Sequence, residues 1–179
     1  MAASQHARGY SLYELLMTLL LVSVILSVGL PSLRSVVASQ RLRTEVDRLF
    51  HAAHLARQTS IVRRRAVTIC ASRDASTCDT GGDWSGGWIL FVDDDRDRPP
   101  QRDAGELLLA ARHVDPRLEV RANRRAFTFR TTELRATNGT IVLCDRGGAA
   151  AARALVISYS GRPRVTRTDR RGRPYACDG

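Results

Sequence analysis

The run Leu15-Leu16-Met17-Thr18-Leu19-Leu20-Leu21-Val22-Ser23-Val24-Ile25-Leu26-Ser27-Val28-Gly29-Leu30 carries no charge, and Pro31 closes it. As a helix, Leu12 to Leu30 is about 28 Å long at ~1.5 Å per residue. That matches a hydrocarbon core of about 30 Å, so a single membrane-spanning helix is expected. A polar leader, residues 1–9, comes first, with Arg8 just before Gly9. A secretory signal peptide places its cleavage site after the apolar region. Here the processing-like junction, Gly9-Tyr10, lies before it, so a cut there leaves the apolar helix on the mature chain. Glu14 stands at the lip of the run. A carboxylate toward the centre of a bilayer costs at least ~2.5 kcal/mol, so Glu14 is expected to have a partner.

The order of leader, Gly9, Glu14, apolar run and Pro31 resembles the type IV prepilin signal. The resemblance implies a prepilin peptidase that cuts after Gly9 and methylates the new N-terminus at Tyr10. Tyr10 stands where the family usually has Phe and keeps the aromatic ring. Glu14 would then pair with the Tyr10 amine of a neighbouring subunit and set register in a filament. The plainer alternative is an ordinary single-pass anchor with Glu14 in the headgroup layer.

With residues 1–9 as leader and 10–31 as anchor, residues 32–179 suffice for one exported domain with its own core. Formal charge is +10, and all 28 basic residues are Arg. The excess points to anionic partners, nucleic acid or lipid headgroups, and the guanidinium fork suits phosphates and base edges. The four cysteines, Cys70, Cys78, Cys144 and Cys177, form no CxxC pair, which argues against a zinc ribbon or a thioredoxin motif. An exported domain meets oxidising conditions, where an even count reads as disulfides. Of three connectivities, Cys70–Cys78 closes a small polar loop and Cys144–Cys177 staples the tail to a strand.

After Pro31, Leu33, Val36, Val37, Leu42, Val46, Leu49, Phe50, Ala53 and Ala56 recur every three or four residues, one stripe of an amphipathic helix. From Ala66 the pattern changes to strand-like runs: 66–70, 88–92, 107–109, 118–120, 127–129, 140–144 and 155–159. Gly, Asp, Pro and Asn separate them. A long helix followed by antiparallel strands fits an α+β fold with the helix packed on a sheet.

Gly81-Gly82-Asp83-Trp84-Ser85-Gly86-Gly87-Trp88-Ile89-Leu90-Phe91-Val92-Asp93 resembles the Trp-x-x-Gly-Trp-x-x-Phe-x-Asp signature of the GspH/FimT family of minor pilins and pseudopilins. Asn138-Gly139-Thr140-Ile141-Val142-Leu143-Cys144 resembles the family's later Gly-Thr strand ending in Cys, and Ile157–Arg164 resembles its final strand. The segment Thr131–Arg135 departs, since the family often has Pro or Gly there. The resemblance implies a type IV pilin-like fold. Its FimT branch associates a Gly-Arg-x-Arg tail with DNA binding in natural transformation, which falls here on Arg162 and Arg164.

The tail itself supports that assignment. Pro163 holds the backbone extended, and alternation sends Arg162 and Arg164 to the same side, where two guanidiniums reach neighbouring phosphates. Arg167, Arg170, Arg171 and Arg173 extend the set. The competing readings are a solvated basic tail and an Arg162 that pairs with a neighbouring subunit. Asp93-Asp94-Asp95-Arg96-Asp97 opens like a calcium loop, but Arg98 and Pro99 follow where the turn Gly belongs and Ala104 occupies the closing position. It therefore reads as a solvated hairpin turn, with no metal expected. His51 and His54 read as structural. Arg63-Arg64-Arg65 either adds to a DNA path or is the solvated helix end. Trp84 and Trp88 read as packing rather than base stacking. There is no enzyme signature and no cofactor is expected.

Two function classes remain. One is a FimT-like minor pilin that binds DNA with little sequence preference during uptake. The other is a structural minor pilin or GspH-type pseudopilin of a type II secretion system. The expected partners are DNA, other pilin subunits, the prepilin peptidase and the bacterial inner membrane, with the C-terminal domain in the periplasm. A peripheral protein docking its arginines on anionic lipid is the weakest alternative, since the anchor already supplies membrane affinity.

Overall fold

The computed structural model describes residues 11–130 and 135–177. Gly9 and Tyr10, the expected cleavage junction, lie outside the described residues, as do the side chains of Val28, Leu30, Pro31 and Ser32. The chain divides into two compact units, Met1–Val37 and Ala38–Gly179, and helix α1 (Leu12–Arg63) contributes to both.

In the first unit, Ser11 caps α1: the Glu14 amide donates to its Oγ at 3.2 Å. The hydroxyls of Thr18, Ser23 and Ser27 each donate to the carbonyl three residues back at 2.8 Å. The polar groups of the apolar run are thus satisfied within the helix. Leu12, Leu15, Leu16, Leu19, Leu20, Leu21, Val24 and Ile25 are all exposed. Among the described residues, no helix is long and apolar enough to cross a membrane. The span expected over Leu12–Leu30 is therefore not met within them; the side chains of Val28 and Leu30, at its apolar end, lie outside the described residues.

The second unit explains the stripe on the later turns of α1. Leu42, Val46, Leu49, Ala52, Ala53 and Ala56 are buried, whereas Leu33, Val36 and Val37 are exposed. The stripe packs on two antiparallel sheets rather than the single sheet expected. One has the order β3-β2-β1-β5-β6, built from β3 (Leu108–His113), β2 (Gly87–Asp93), β1 (Ala66–Ala71), β5 (Ala126–Arg130) and β6 (Arg135–Ala136). The other has the order β4-β7-β8-β9, built from β4 (Leu118–Ala122), β7 (Gly139–Asp145), β8 (Arg153–Ile157) and β9 (Pro163–Thr166). Val67, Ile69, Leu90, Phe127 and Phe129 of the first sheet and Leu118, Ile141, Leu143, Leu155 and Ile157 of the second meet the helix in one core. Ala52, Ala53 and Ala56 are buried in that core.

Strands β1 and β2 are buried at every position. Their far face carries a second cluster of Cys70, Cys78, Ile89 and Phe91, so both faces of these strands are covered. Both disulfides have the expected partners, Cys70–Cys78 and Cys144–Cys177. The second closes a separation of 33 residues. On a loop-entropy basis it contributes about 3–4 kcal/mol, and the Cys70–Cys78 loop about 2.5 kcal/mol. Unfolded, unreduced protein is expected to show no Ellman-reactive thiol. Cys144→Ser with Cys177→Ser is expected to lower the melting temperature more than Cys70→Ser with Cys78→Ser; the reverse order contradicts the loop-entropy account.

Candidate functional site

The basic tail is a folded arm, not an open extension. After β8 the chain turns at Ser158–Arg162: the Gly161 amide donates to the Ser158 carbonyl at 2.9 Å and the Ser158 amide to the Arg162 carbonyl at 3.1 Å. Gly161, at φ +73°, fits there because a Cβ would lie 3.2 Å from Phe129 and 3.3 Å from Ala136. Strand β9 then pairs with β8, Val156 opposite Arg164 and Ile157 opposite Pro163. The expected single final strand over Ile157–Arg164 is thus a hairpin. A second hairpin follows, with Thr168 bridged to Pro174 and the Asp169 amide bonded to the Arg173 carbonyl at 2.8 Å. Asp169 closes it, accepting from the amides of Arg171 at 2.7 Å and Arg173 at 2.9 Å and pairing with the Arg173 guanidinium at 2.9 Å. The Arg173 amide, joined by its guanidinium and the Arg171 amide, holds Asp169 below the usual carboxylate range.

The core side of the second sheet carries Leu155, Ile157 and the half-buried Val165. Alternation therefore puts Val156 and Arg164 on the outer side. A groove of about 790 Å³ lies there, with Thr140 and Val156 along it and Arg124, Arg162, Arg164, Arg170 and Arg171 around it. Cys144–Cys177 ties the arm that supplies Arg170 and Arg171 to β7. The six tail arginines thus separate. Arg162, Arg164, Arg170 and Arg171 share the groove. Arg173 is committed to Asp169. Arg167 acts instead on Arg153, whose guanidinium burial holds below its ordinary value; Arg167 and Arg43 push the same way and Asp47 opposes. Arg124, on the turn after β4, is a groove residue that the sequence reading did not single out.

The other candidates resolve locally. Trp84 is fully buried, donates to the Arg124 carbonyl at 3.0 Å and meets Phe127 edge-on. Trp88 is buried in the main core. His54 and His51 pack edge-on against Phe50. Arg64 takes the left-handed conformation that ends α1, and Arg65 pairs with Asp94 at 3.5 Å. The turn after β2 is less solvated than expected. Asp93 is buried, accepting from Thr68 at 2.9 Å and from the Arg96 amide at 2.8 Å. Burial, with Asp97 and Asp95 adding to it, raises its pKa. Glu106, also buried, accepts from the amides of Asp94 and Asp103. The carboxylates of Asp93, Asp95 and Glu106 lie within 4.8 Å of one another, and these bonds tie them into the turn.

Glu14 is exposed and makes no ion pair among the described residues. Its backbone amide donates to the Ser11 cap three residues back.

Among curated proteins no sequence matches. The fold is similar to that of two solved proteins. Pseudomonas aeruginosa type IV minor pilin FimU aligns at 19% identity over 71% of this chain and 89% of its own, with a TM-score of 0.50. The minor pseudopilin EpsH from the Type 2 Secretion System of Vibrio cholerae aligns at 7% identity over 70% of this chain and 96% of its own, with a TM-score of 0.51. The helix-on-antiparallel-sheet architecture is therefore the one these pilin-type domains share. The model of the family described as type II transport protein GspH matches residues 45–161, from the packed turns of α1 to the Gly161 turn. On that match, which spans more than half of the sequence, the chain belongs to the GspH family.

Proposed function

We propose that this chain is a minor pilin or pseudopilin, a non-catalytic assembly subunit of a type IV pilus or a type II secretion system. The observation that carries the reading is a bare apolar helix in front of a GspH-family domain. Leucines and valines from Leu12 to Leu26 stand exposed, with their hydroxyl neighbours satisfied internally. A surface like that calls for lipid or for other apolar helices. The inner membrane holds the subunit first, with its domain in the periplasm, and a bundle of like helices holds it after assembly. The prepilin peptidase removes residues 1–9. Mass spectrometry of membrane-extracted protein is expected to find a chain beginning at methylated Tyr10, whereas an intact Met1 in cells that have the peptidase contradicts it. Glu14→Ala is expected to abolish incorporation into the filament while leaving the domain's melting temperature unchanged. Normal incorporation would leave Glu14 with no part in assembly.

The groove favours a second activity for the same subunit. Four exposed tail arginines and Arg124 line one open channel with no carboxylate but Asp169, which Arg173 already engages. Guanidiniums held this way suit a phosphate backbone, bound with little sequence preference, and DNA uptake is the use that the Gly161-Arg162-Pro163-Arg164 resemblance suggests.

A further inference from the structure

A smaller cavity of about 210 Å³, which shares Arg162 with the groove, is lined by Arg57, Arg130, Arg135 and Arg162 together with Phe129 and Ala136. We propose that it binds a side-chain carboxylate, a Glu beside an apolar residue, presented by a neighbouring subunit. Three observations converge. First, none of the four arginines forms an ion pair among the described residues; the closest interactions are Arg57 Nε to the Ser160 carbonyl at 3.4 Å and Arg135 over the Tyr159 ring at 5.6 Å. Second, Arg130 and Arg135 sit directly opposite one another in the β5–β6 ladder. Like charges in that position repel, and nothing among the described residues offsets them; a bound anion would. Third, the floor is apolar. Phe129 is 2% exposed, Ala136 5%, and the missing Cβ at Gly161 leaves the space open, while Ile61 stands 46% exposed at the rim.

The shape and surface select the ligand. An open, polar channel is what a hydrated nucleic-acid strand needs, and the groove next door supplies that. A small cavity with an aromatic floor and guanidiniums at its mouth takes a carboxylate whose methylene stem lies on Phe129 and Ala136. The reading as an assembly subunit supplies only the source of the carboxylate; the chemistry of the cavity stands without it.

The test uses the full chain in a nonionic detergent, with a short capped Gly-Leu-Glu-Phe-Gly peptide and its Gln twin as probes, followed by NMR at the Gly161 and Ala136 amides. The Glu peptide is expected to bind about tenfold more tightly than the Gln twin, the difference a charge-assisted hydrogen bond makes. Arg130→Gln with Arg135→Gln is expected to remove that preference, while the melting temperature without peptide holds or rises because the cross-strand repulsion has gone. Arg164→Gln with Arg171→Gln, in the groove, is expected to leave peptide binding unchanged. Equal binding of the two peptides, or a preference that survives in the Arg130/Arg135 variant, overturns the proposal. So does tighter binding in Glu133→Gln, which would make the chain's own Glu133 the occupant. Displacement of the peptide by a short DNA oligonucleotide in the Arg164→Gln with Arg171→Gln variant, whose groove is weakened, would instead make this a phosphate site. Failure of the full chain to enter any filament would sink the assembly reading without touching any of these outcomes.

Discussion

Gly87→Ala is expected to destabilise the domain by about 4 kcal/mol or more. Gly87 opens β2, opposite His113 of β3, and its carbonyl accepts the Ser72 amide at 3.0 Å. A Cβ at this position would lie 2.3 Å from the Arg112 carbonyl oxygen, 3.0 Å from the Ser72 carbonyl oxygen and 3.1 Å from the His113 Cα. All three are backbone atoms of paired or turning chain, so no side chain can swing away. The φ of +145° adds strain in a region essentially reserved for glycine. Clash and strain together cost about 4 kcal/mol or more, the range in which single substitutions become exceptional. At roughly 3 °C per kcal/mol for a domain of this size, the melting temperature falls by about 12 °C. Gly105→Ala is the control, since its Cβ would meet nothing within 4 Å. Circular dichroism of the two variants decides: a Gly87→Ala protein that melts within about 2 °C of Gly105→Ala would contradict the steric account.

That substitution shows how far the sequence could be read. The Gly87-Trp88 pair was legible as a motif, and so were the helix stripe, the long strands and both disulfide partners, because each is encoded in local spacing or in a small set of pairings. The reason for the glycine was not legible, since the atoms it avoids belong to β3 and to Ser72. Strand β6 has only two residues, too few for any period to show. Strand β9 was missed because Pro163 and its arginines read as a tail, although Val165 packs against the core opposite Leu155. The division into two sheets also depends on long-range pairing, such as β1 with β5, that spacing does not encode.

The same limit applies to the sites. Arg162 and Arg164 were legible as a pair because alternation in an extended chain is local. Whether Arg167 and Arg173 belonged with them depended on the turn that Asp169 closes and on where β8 places Arg153. Arg124 joins the groove, and Arg57 and Arg130 meet Arg162 across the Gly161 turn, only through tertiary packing.

The groove yields the second large effect. Arg162, Arg164, Arg170 and Arg171 replaced together by Ala are expected to abolish DNA binding while the fold persists, because all four side chains are exposed. Four neutralised phosphates give a log–log salt slope near −3.6, at roughly −0.9 per contact on duplex DNA. A fourfold rise in salt then weakens wild-type binding by about 150-fold. The quadruple variant is expected to lose almost all of that slope, and Arg162→Ala with Arg164→Ala about half of it. The loss should be similar for unrelated sequences, since phosphate contacts position a strand without reading it. Arg167→Ala separates this geometry from a general charge effect. It removes the same unit of charge, but from a guanidinium outside the groove, so the slope is expected to stay near the wild-type value. If the slope instead falls equally for every arginine removed, wherever it sits, the tail acts as diffuse positive charge and the groove has no part in it. If the quadruple variant binds DNA as the wild type does, the subunit's role is assembly alone.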